Sequence, residues 1–388
     1  MIPRKNLIRA MRKSFSQPIY AYRNFTHRFK SALSYHLFDG KSYWPETISL
    51  FLTYKCNLRC LMCGQWGENG AFNEFSNDLL KQRLSLDEIK PIIDNVRFFQ
   101  PNITLFGGEP MLHPEWLKIV KAVKTAGMRC NIVTNGTLIQ NYAEEIIDSG
   151  LDEIIFSLDG PEEIHDKIRR VPGTFQRSIE GFEILHDLKQ KRKIKTPIIN
   201  INSTLWEENY KSINDTINIA ENIHARGLTF HHLLFLSKPT VRQFFDFFEK
   251  RFDQTPTDWI GFTRDNPPKI DVDFLTSKIE EIQRKKSVID ISFFPNFNSN
   301  EIRRWYSEFE FESSSYKNRC LSLWMTAYIL PDGSVRPYHS MNFTTGNVLE
   351  HPFTEIWNND LYRGYRNHIK RHKRFSICSK GCTEFYRY

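Results

Sequence analysis

The run Tyr54-Lys55-Cys56-Asn57-Leu58-Arg59-Cys60-Leu61-Met62-Cys63-Gly64 sets three cysteines in a C-x3-C-x2-C spacing, directly after the apolar stretch Ile48-Ser49-Leu50-Phe51-Leu52. Three thiolates on one short loop hold three corners of a cubane iron-sulfur cluster, and the loop offers no fourth. One iron then stays open to another ligand. The competing readings are zinc, buried free thiols or a disulfide pair. A structural zinc site closes with four ligands, and neither a second C-x2-C nor a His-x3-His lies close enough in sequence to complete one.

Outward from this loop, residues 48–237 alternate short apolar runs with helical stretches, the pattern of βα units around a parallel sheet. The expected strands are 48–52, 102–106, 130–134, 153–158, 198–204 and 228–235. Six such units with right-handed crossovers curl into an open barrel, with ligands at the carboxyl ends of the strands. At those ends stand chemically useful groups. Phe106-Gly107-Gly108-Glu109-Pro110 combines a backbone that can approach a ligand with a carboxylate that can accept an ammonium. Thr134-Asn135-Gly136 and Ser157-Leu158-Asp159-Gly160-Pro161 offer hydroxyl, amide and carboxylate groups suited to a ribose. Arg169 and Arg170 offer guanidinium groups suited to a carboxylate.

Together these motifs resemble the radical S-adenosylmethionine (SAM) family, and most closely its peptide- and sulfatase-maturase branch. The resemblance implies an α/β fold, a partial (β/α)6 barrel, and a [4Fe-4S] cluster on Cys56, Cys60 and Cys63 whose open iron chelates SAM. It also implies that Gly107, Gly108 and Glu109 bind the SAM amino group, and that Asn135, Ser157 and Arg169 make further SAM contacts. Asp159 is either another contact or a turn cap, and Arg170 is the alternative to Arg169. Asn202 and Leu234 correspond to family positions facing the nucleoside. Met62 stands where the family usually carries an aromatic residue, and its thioether can still pack on adenine.

A second cysteine set lies near the C-terminus: Cys320, then Pro331-Asp332-Gly333-Ser334-Val335-Arg336-Pro337-Tyr338-His339, then Cys378-Ser379-Lys380-Gly381-Cys382. This resembles a shortened α+β SPASM or twitch domain with an auxiliary [4Fe-4S] cluster. The family expects a cysteine five positions after the glycine, and here that position is Tyr338. Three completions stay open: a Tyr338 phenolate, a His339 imidazole, or an iron left to substrate or water. Zinc or a lost cluster is the alternative. Cys130, flanked by Met128 and Ile132, reads as core. His231 and His232 read as satisfied histidines on a barrel strand, and the basic run Arg363–Arg374 as a solvated helix face.

The expected organisation is a basic aromatic segment at 1–45, the barrel at 46–237, a helical bridge or lid at 238–312 rich in phenylalanine and tryptophan, and the iron-sulfur module at 313–388. Residues 1–38 hold eight of the lysines and arginines and no acid, so they account for the formal charge of +8. Leu7, Ile8, Met11 and Phe15 recur there at helical spacing, followed by Tyr20, Tyr22, Phe25 and Phe29. Such a segment suits an anionic membrane surface, an acidic partner or packing on the barrel. No apolar run is long enough to span a bilayer, and seven cysteines in two sets of three plus one suit a reducing cytoplasm.

The expected activity is reductive cleavage of SAM to a 5′-deoxyadenosyl radical, which abstracts hydrogen from a ribosomal peptide or, alternatively, from a small-molecule, sugar or lipid substrate. Electrons would come from a flavodoxin or ferredoxin. No nucleic-acid partner is expected. The rival from another class is a non-catalytic electron carrier, which has no need of an open iron.

Overall fold

The computed structural model describes residues 18–388; the apolar and basic positions noted among the first 17 residues lie outside the described part. Six strands follow one another in parallel: β1 (Thr47–Phe51), β2 (Asn102–Phe106), β3 (Arg129–Thr134), β4 (Glu153–Ser157), β5 (Ile198–Leu205) and β6 (Gly227–His232). A short parallel pair, β7 (Leu236–Ser237) and β8 (Thr263–Arg264), comes next. After these come β9 (Asp290–Phe294), β10 (Thr326–Ile329), β11 (Ser334–Arg336) and β12 (Gly346–Asn347). The main sheet runs β12-β11-β10-β1-β2-β3-β4-β5-β6-β9.

The return helices bury one apolar stripe each, as their spacing requires. Leu86–Val96 starts in a capping box between Ser85 and Glu88 and turns Ile89, Ile92, Ile93 and Val96 inward. Ile139–Asp148 does the same with Ile139, Ala143 and Ile146. Strand β5 alternates half-buried and buried residues along its whole length, so its two faces meet different surroundings. Among the described residues no helix is long and apolar enough to cross a membrane.

Three features depart from the sequence reading. The sixth barrel strand ends at His232 rather than at 235, because the Leu233 carbonyl leaves the ladder to accept the Trp305 indole N–H at 3.0 Å. The stretch 238–312 is not wholly helical: it contributes β9, which pairs in parallel with β6 and lengthens the barrel sheet. The C-terminal hairpin β10–β11 joins that sheet at its other end, with β10 parallel to β1, so barrel and C-terminal module share one continuous hydrogen-bonded ladder.

The basic run also needs correction, since Arg366 is fully buried rather than solvated. Its guanidinium donates to the carbonyls of Leu323, Gly40 and Trp357 and lies 4.0 Å from the ring centroids of both Trp357 and Tyr362. Burial lowers its pKa to about 9. This one side chain ties the N-terminal segment to the helix Asp360–His372.

Candidate active site

The cysteine loop leaves the carboxyl end of β1 and is held by backbone on both sides. Gly108 N–H donates to the Thr53 carbonyl at 2.9 Å and Glu109 N–H to that of Lys55 at 2.8 Å, so the glycine motif extends the β1–β2 pairing onto the loop. A Cβ on Gly108 would overlap the Lys55 carbonyl, which explains the glycine there. From the other side, Leu61 N–H donates to the Ile168 carbonyl at 2.9 Å.

Each of the three thiols has a donor within reach. Leu58 N–H approaches Cys56 Sγ and Trp66 N–H approaches Cys63 Sγ, both at 3.4 Å, while the Arg169 guanidinium reaches Cys60 Sγ at 3.5 Å. Burial, followed by the charges of Glu109, Cys60 and Cys63, pushes the Cys56 thiol up to about 12, and burial likewise raises Cys60. Thiols in such a setting give up their protons to a metal rather than to water. Three hydrogen-bonded sulfurs that act on one another from one loop, without a fourth, fit a cubane that keeps one iron open.

Around the loop the strand ends supply a buried polar shell. Glu109 is fully buried; its carboxylate accepts from the Thr134 hydroxyl at 2.9 Å, from Asn135 N–H at 2.9 Å and from Met111 N–H at 3.1 Å. Burial raises it to about 7. The Asn135 side chain donates to Asn57 on the cysteine loop at 2.8 Å. Arg169 pairs with Asp159 at 2.5 Å and donates to the Ser157 carbonyl at 3.1 Å. Asp159 is thus the ion-pair partner of Arg169 through one oxygen and accepts from Thr204 N–H at 3.1 Å through the other. Arg170 is exposed in a left-handed conformation (φ 59°) at the end of its helix and has no place in this shell.

Ser157 and Asn202 are register partners on β4 and β5, so both stand at the same barrel end. Met62 lies half-buried on the loop itself. Leu234, just past the carboxyl end of β6, lines a small cavity with Cys382, Thr383 and Tyr386. Sequence reasoning missed the roles of Thr134 and Asn57. The Thr-Asn-Gly strand end was the available signal for Thr134; nothing marked Asn57.

The second set also converges. Burial raises Cys320 to about 11 and Cys378 to about 12, with Cys320 acting on Cys378 and both acting on Cys382. Tyr338 stands with them: burial and then the nearby Cys382 raise its phenol well above the ordinary value, and its hydroxyl lies 3.2 Å from the Thr383 hydroxyl. The His339 ring lies 4.1 Å from that of Tyr338, both rings meet Tyr328, and His339 also reaches Phe106 at the end of β2 (ring centroids 5.3 Å) and the Ser340 hydroxyl, 2.8 Å from its Nδ1. Both residues lie past the end of β11, in a bend and a turn, so strand alternation does not part them; what distinguishes Tyr338 is its contact with Cys382 and Thr383.

Residues 50–236 match the radical SAM superfamily, and residues 320–383 match the SPASM iron-sulfur cluster-binding domain. The chain carries a radical SAM domain followed by a SPASM domain. It is similar to the AdoMet-dependent heme synthase of Methanosarcina barkeri, with 27% identity over 86% of this chain and 88% of the relative. It is similar as well to the Fe-coproporphyrin III synthase of the same organism, at 28% over 83% and 77%. Among solved structures, Streptococcus suis SuiB bound to its precursor peptide SuiA superposes with a TM-score of 0.61 at 14% identity, covering 96% of this chain and 80% of SuiB. The structure of anSMEcpe with bound AdoMet gives 0.55 at 18%, over 87% and 86%. At these identities the structural likeness speaks for the fold. The superfamily brings SAM, a [4Fe-4S] cluster and an auxiliary iron-sulfur cluster as cofactors, and it makes the chain an enzyme rather than an electron carrier.

Proposed function

We propose that Cys56, Cys60 and Cys63 hold the SAM-binding cluster, that Cys320, Cys378 and Cys382 hold the auxiliary one, and that the enzyme abstracts hydrogen from a small organic substrate. Bound there, cluster and SAM supply reductive cleavage to a 5′-deoxyadenosyl radical. The chain's own residues position that chemistry. Glu109 receives the SAM ammonium while Thr134 and Asn135 fix its carboxylate, and Arg169, oriented by Asp159, steadies Cys60 and the SAM carboxylate side. The bridge turn Thr257–Phe262 packs against the cysteine loop and excludes water.

The observation that favours a small molecule over a ribosomal peptide is that two relatives matching across both modules are named for haem and coproporphyrin products. The peptide reading draws on fold likeness to SuiB and anSMEcpe. Anaerobic turnover with SAM and either dithionite or reduced flavodoxin tests both. Release of 5′-deoxyadenosine stimulated by Fe-coproporphyrin III supports the first reading; stimulation by a peptide and not by the porphyrin replaces it with the second. Seven free cysteines suit a reducing compartment such as the cytoplasm.

A second reading concerns location. The helix Pro18–Leu37 has no acid and exposes Tyr22, Phe25, Phe29, Leu33 and Leu37 along one face, four of them at 60% or more. Its opposite face docks through His27, whose Nε2 lies 3.0 Å from the Phe99 carbonyl, and through the Arg28–Glu46 pair at 2.6 Å. An aromatic stripe on an acid-free helix suits the headgroup region of an anionic bilayer. Salt-sensitive co-sedimentation with anionic vesicles, abolished by F25S/F29S, is the expected result; equal recovery on neutral and anionic vesicles overturns it.

A further inference from the structure

A cleft of about 810 Å³ opens at the amino-terminal ends of the barrel strands, on the side away from the cysteine loop. Its walls come from the first turns of the helix Pro18–Leu37, the starts of β2, β3 and β5, and the loop before β6. Catalytic groups of such barrels gather at the opposite end, so this cleft is no part of the SAM site. Its size is that of a small-molecule pocket.

The charges in the cleft are unbalanced. Asp152, the single carboxylate in the lining, is taken by Lys124 at 2.6 Å and by the Cys130 N–H at 2.8 Å. Arg129 is satisfied by Glu153 at 2.6 Å. Two further cations meet neutral partners: Arg23 donates to the Gln100 amide oxygen at 3.1 Å, and Lys189 donates to the Pro197 carbonyl at 2.7 Å. Lys195 adds an exposed ammonium at the rim. Burial lowers the pKa of Lys189, the direction expected for a cation with no anion beside it.

A second observation is of a different kind. Asn102, at the start of β2, is 6% exposed and lines the cleft; its Nδ2 donates to the Thr104 hydroxyl at 3.1 Å, but its Oδ1 has no hydrogen-bond partner. A buried acceptor without a donor costs free energy, and because this oxygen is out of solvent contact a ligand hydroxyl recovers it only by turning the Asn102 amide toward the cleft. Met128, Ile198 and Ile199 add apolar wall. Guanidinium and ammonium groups at the rim, a vacant acceptor within and an apolar side describe one kind of guest.

We infer that this cleft binds a small phosphorylated polyol such as a sugar phosphate, with Arg23, Lys189 and Lys195 on the phosphate and Asn102 on a hydroxyl. It is a site separate from the SAM chamber and joined to the N-terminal helix.

Calorimetric titration of the cluster-loaded enzyme with ribose 5-phosphate and with inorganic phosphate tests the assignment. Saturable binding is expected, with R23Q/K195Q weakening both probes by roughly tenfold or more. These two side chains lie on the exposed rim, so folding is retained, which circular dichroism of the variant checks. N102A should erase the preference for ribose 5-phosphate over inorganic phosphate and leave phosphate binding intact. The inference is overturned if neither probe binds at millimolar concentration, if R23Q/K195Q binds as well as the parent, or if saturating SAM competes with the probe.

Discussion

Gly261 lies directly on the carbonyl of Gly64, so closely that a Cβ at position 261 would overlap it. Phe262 covers Gly64 from the next position, and Trp259 packs on Gly381 and stacks on Tyr338 with ring centroids 5.6 Å apart. One turn, Thr257–Phe262, therefore touches the loop of the first cysteine set and both flanks of the second. The bridge thus fixes the spacing between the two cysteine sets.

G261A should be felt at both sites, because the obstacle is backbone and cannot rotate away. A loss of about 1–3 kcal/mol is expected from overpacking of this kind. Urea unfolding measures the stability, and iron analysis after reconstitution should show lower occupancy than in the parent. Full iron content with unchanged stability would show that the turn yields freely.

Arg366 makes a prediction of opposite character, since it fills space and satisfies acceptors at once. R366M keeps much of the volume between Trp357 and Tyr362 but strands the carbonyls of Leu323, Gly40 and Trp357. Each stranded buried acceptor costs about 1–3 kcal/mol. The variant should therefore be among the least stable single substitutions in the chain, with the N-terminal segment released first in hydrogen exchange.

The Asp159–Arg169 pair separates a charge effect from a cluster effect. D159N leaves a buried guanidinium uncompensated and should cost roughly 3–5 kcal/mol, whereas D159L/R169M removes both charges and should recover most of that. The double variant still lacks the donor to Cys60 Sγ. Its reconstituted cluster should show a shifted reduction potential even where stability returns, because hydrogen bonds to sulfur tune such clusters. Equal stability of D159N and the double variant would contradict the pairing.

Glu109 carries a pH dependence whose sign follows from its burial. Its carboxyl is raised from the ordinary 4.5 to about 7, so the folded apoprotein binds this proton more tightly than the unfolded chain does. Its contribution to stability is therefore highest at acidic pH and is lost as pH rises from about 4.5 to 7, by roughly 3 kcal/mol in all. E109Q should flatten that slope in urea titrations of apoprotein. SAM binding has the opposite slope, because the ammonium needs the carboxylate: affinity in the parent should fall as pH drops below about 7, and E109Q should be weak throughout.

The barrel is legible in the sequence wherever a strand is bounded by local chemistry. Strand β2 begins after Pro101 and ends at Gly107, and its expected range 102–106 coincides with the observed one. Strand β6 is over-read because Leu233-Leu234-Phe235 continues the apolar run; only the distant Trp305 indole, which claims the Leu233 carbonyl, ends the ladder. Arg366 is unreadable for the same reason, since one of its acceptors, the Gly40 carbonyl, lies 326 residues away. Motif spacing brings Cys56, Glu109 and Asn135 together, whereas Asn57 carries no local mark and acquires its role through contact with Asn135 and Thr137.

The auxiliary site turns on two neighbours that the sequence leaves equivalent and whose rings lie 4.1 Å apart in the fold; contact with Cys382 and Thr383 singles out Tyr338. Tyr338 lies by Cys382 and Thr383 with its phenol buried, while His339 faces Phe106 and the end of β2. A phenolate ligand requires the Tyr338 proton to leave on metal binding, and burial holds that proton in the metal-free protein. We therefore expect Y338F, loaded only at Cys320, Cys378 and Cys382, to change the absorption and paramagnetic resonance spectra of the cluster and make one iron more exchangeable. H339A should leave those spectra as they are. The reverse result would assign the fourth iron to the imidazole, and unchanged spectra in both variants would leave that iron to solvent or substrate.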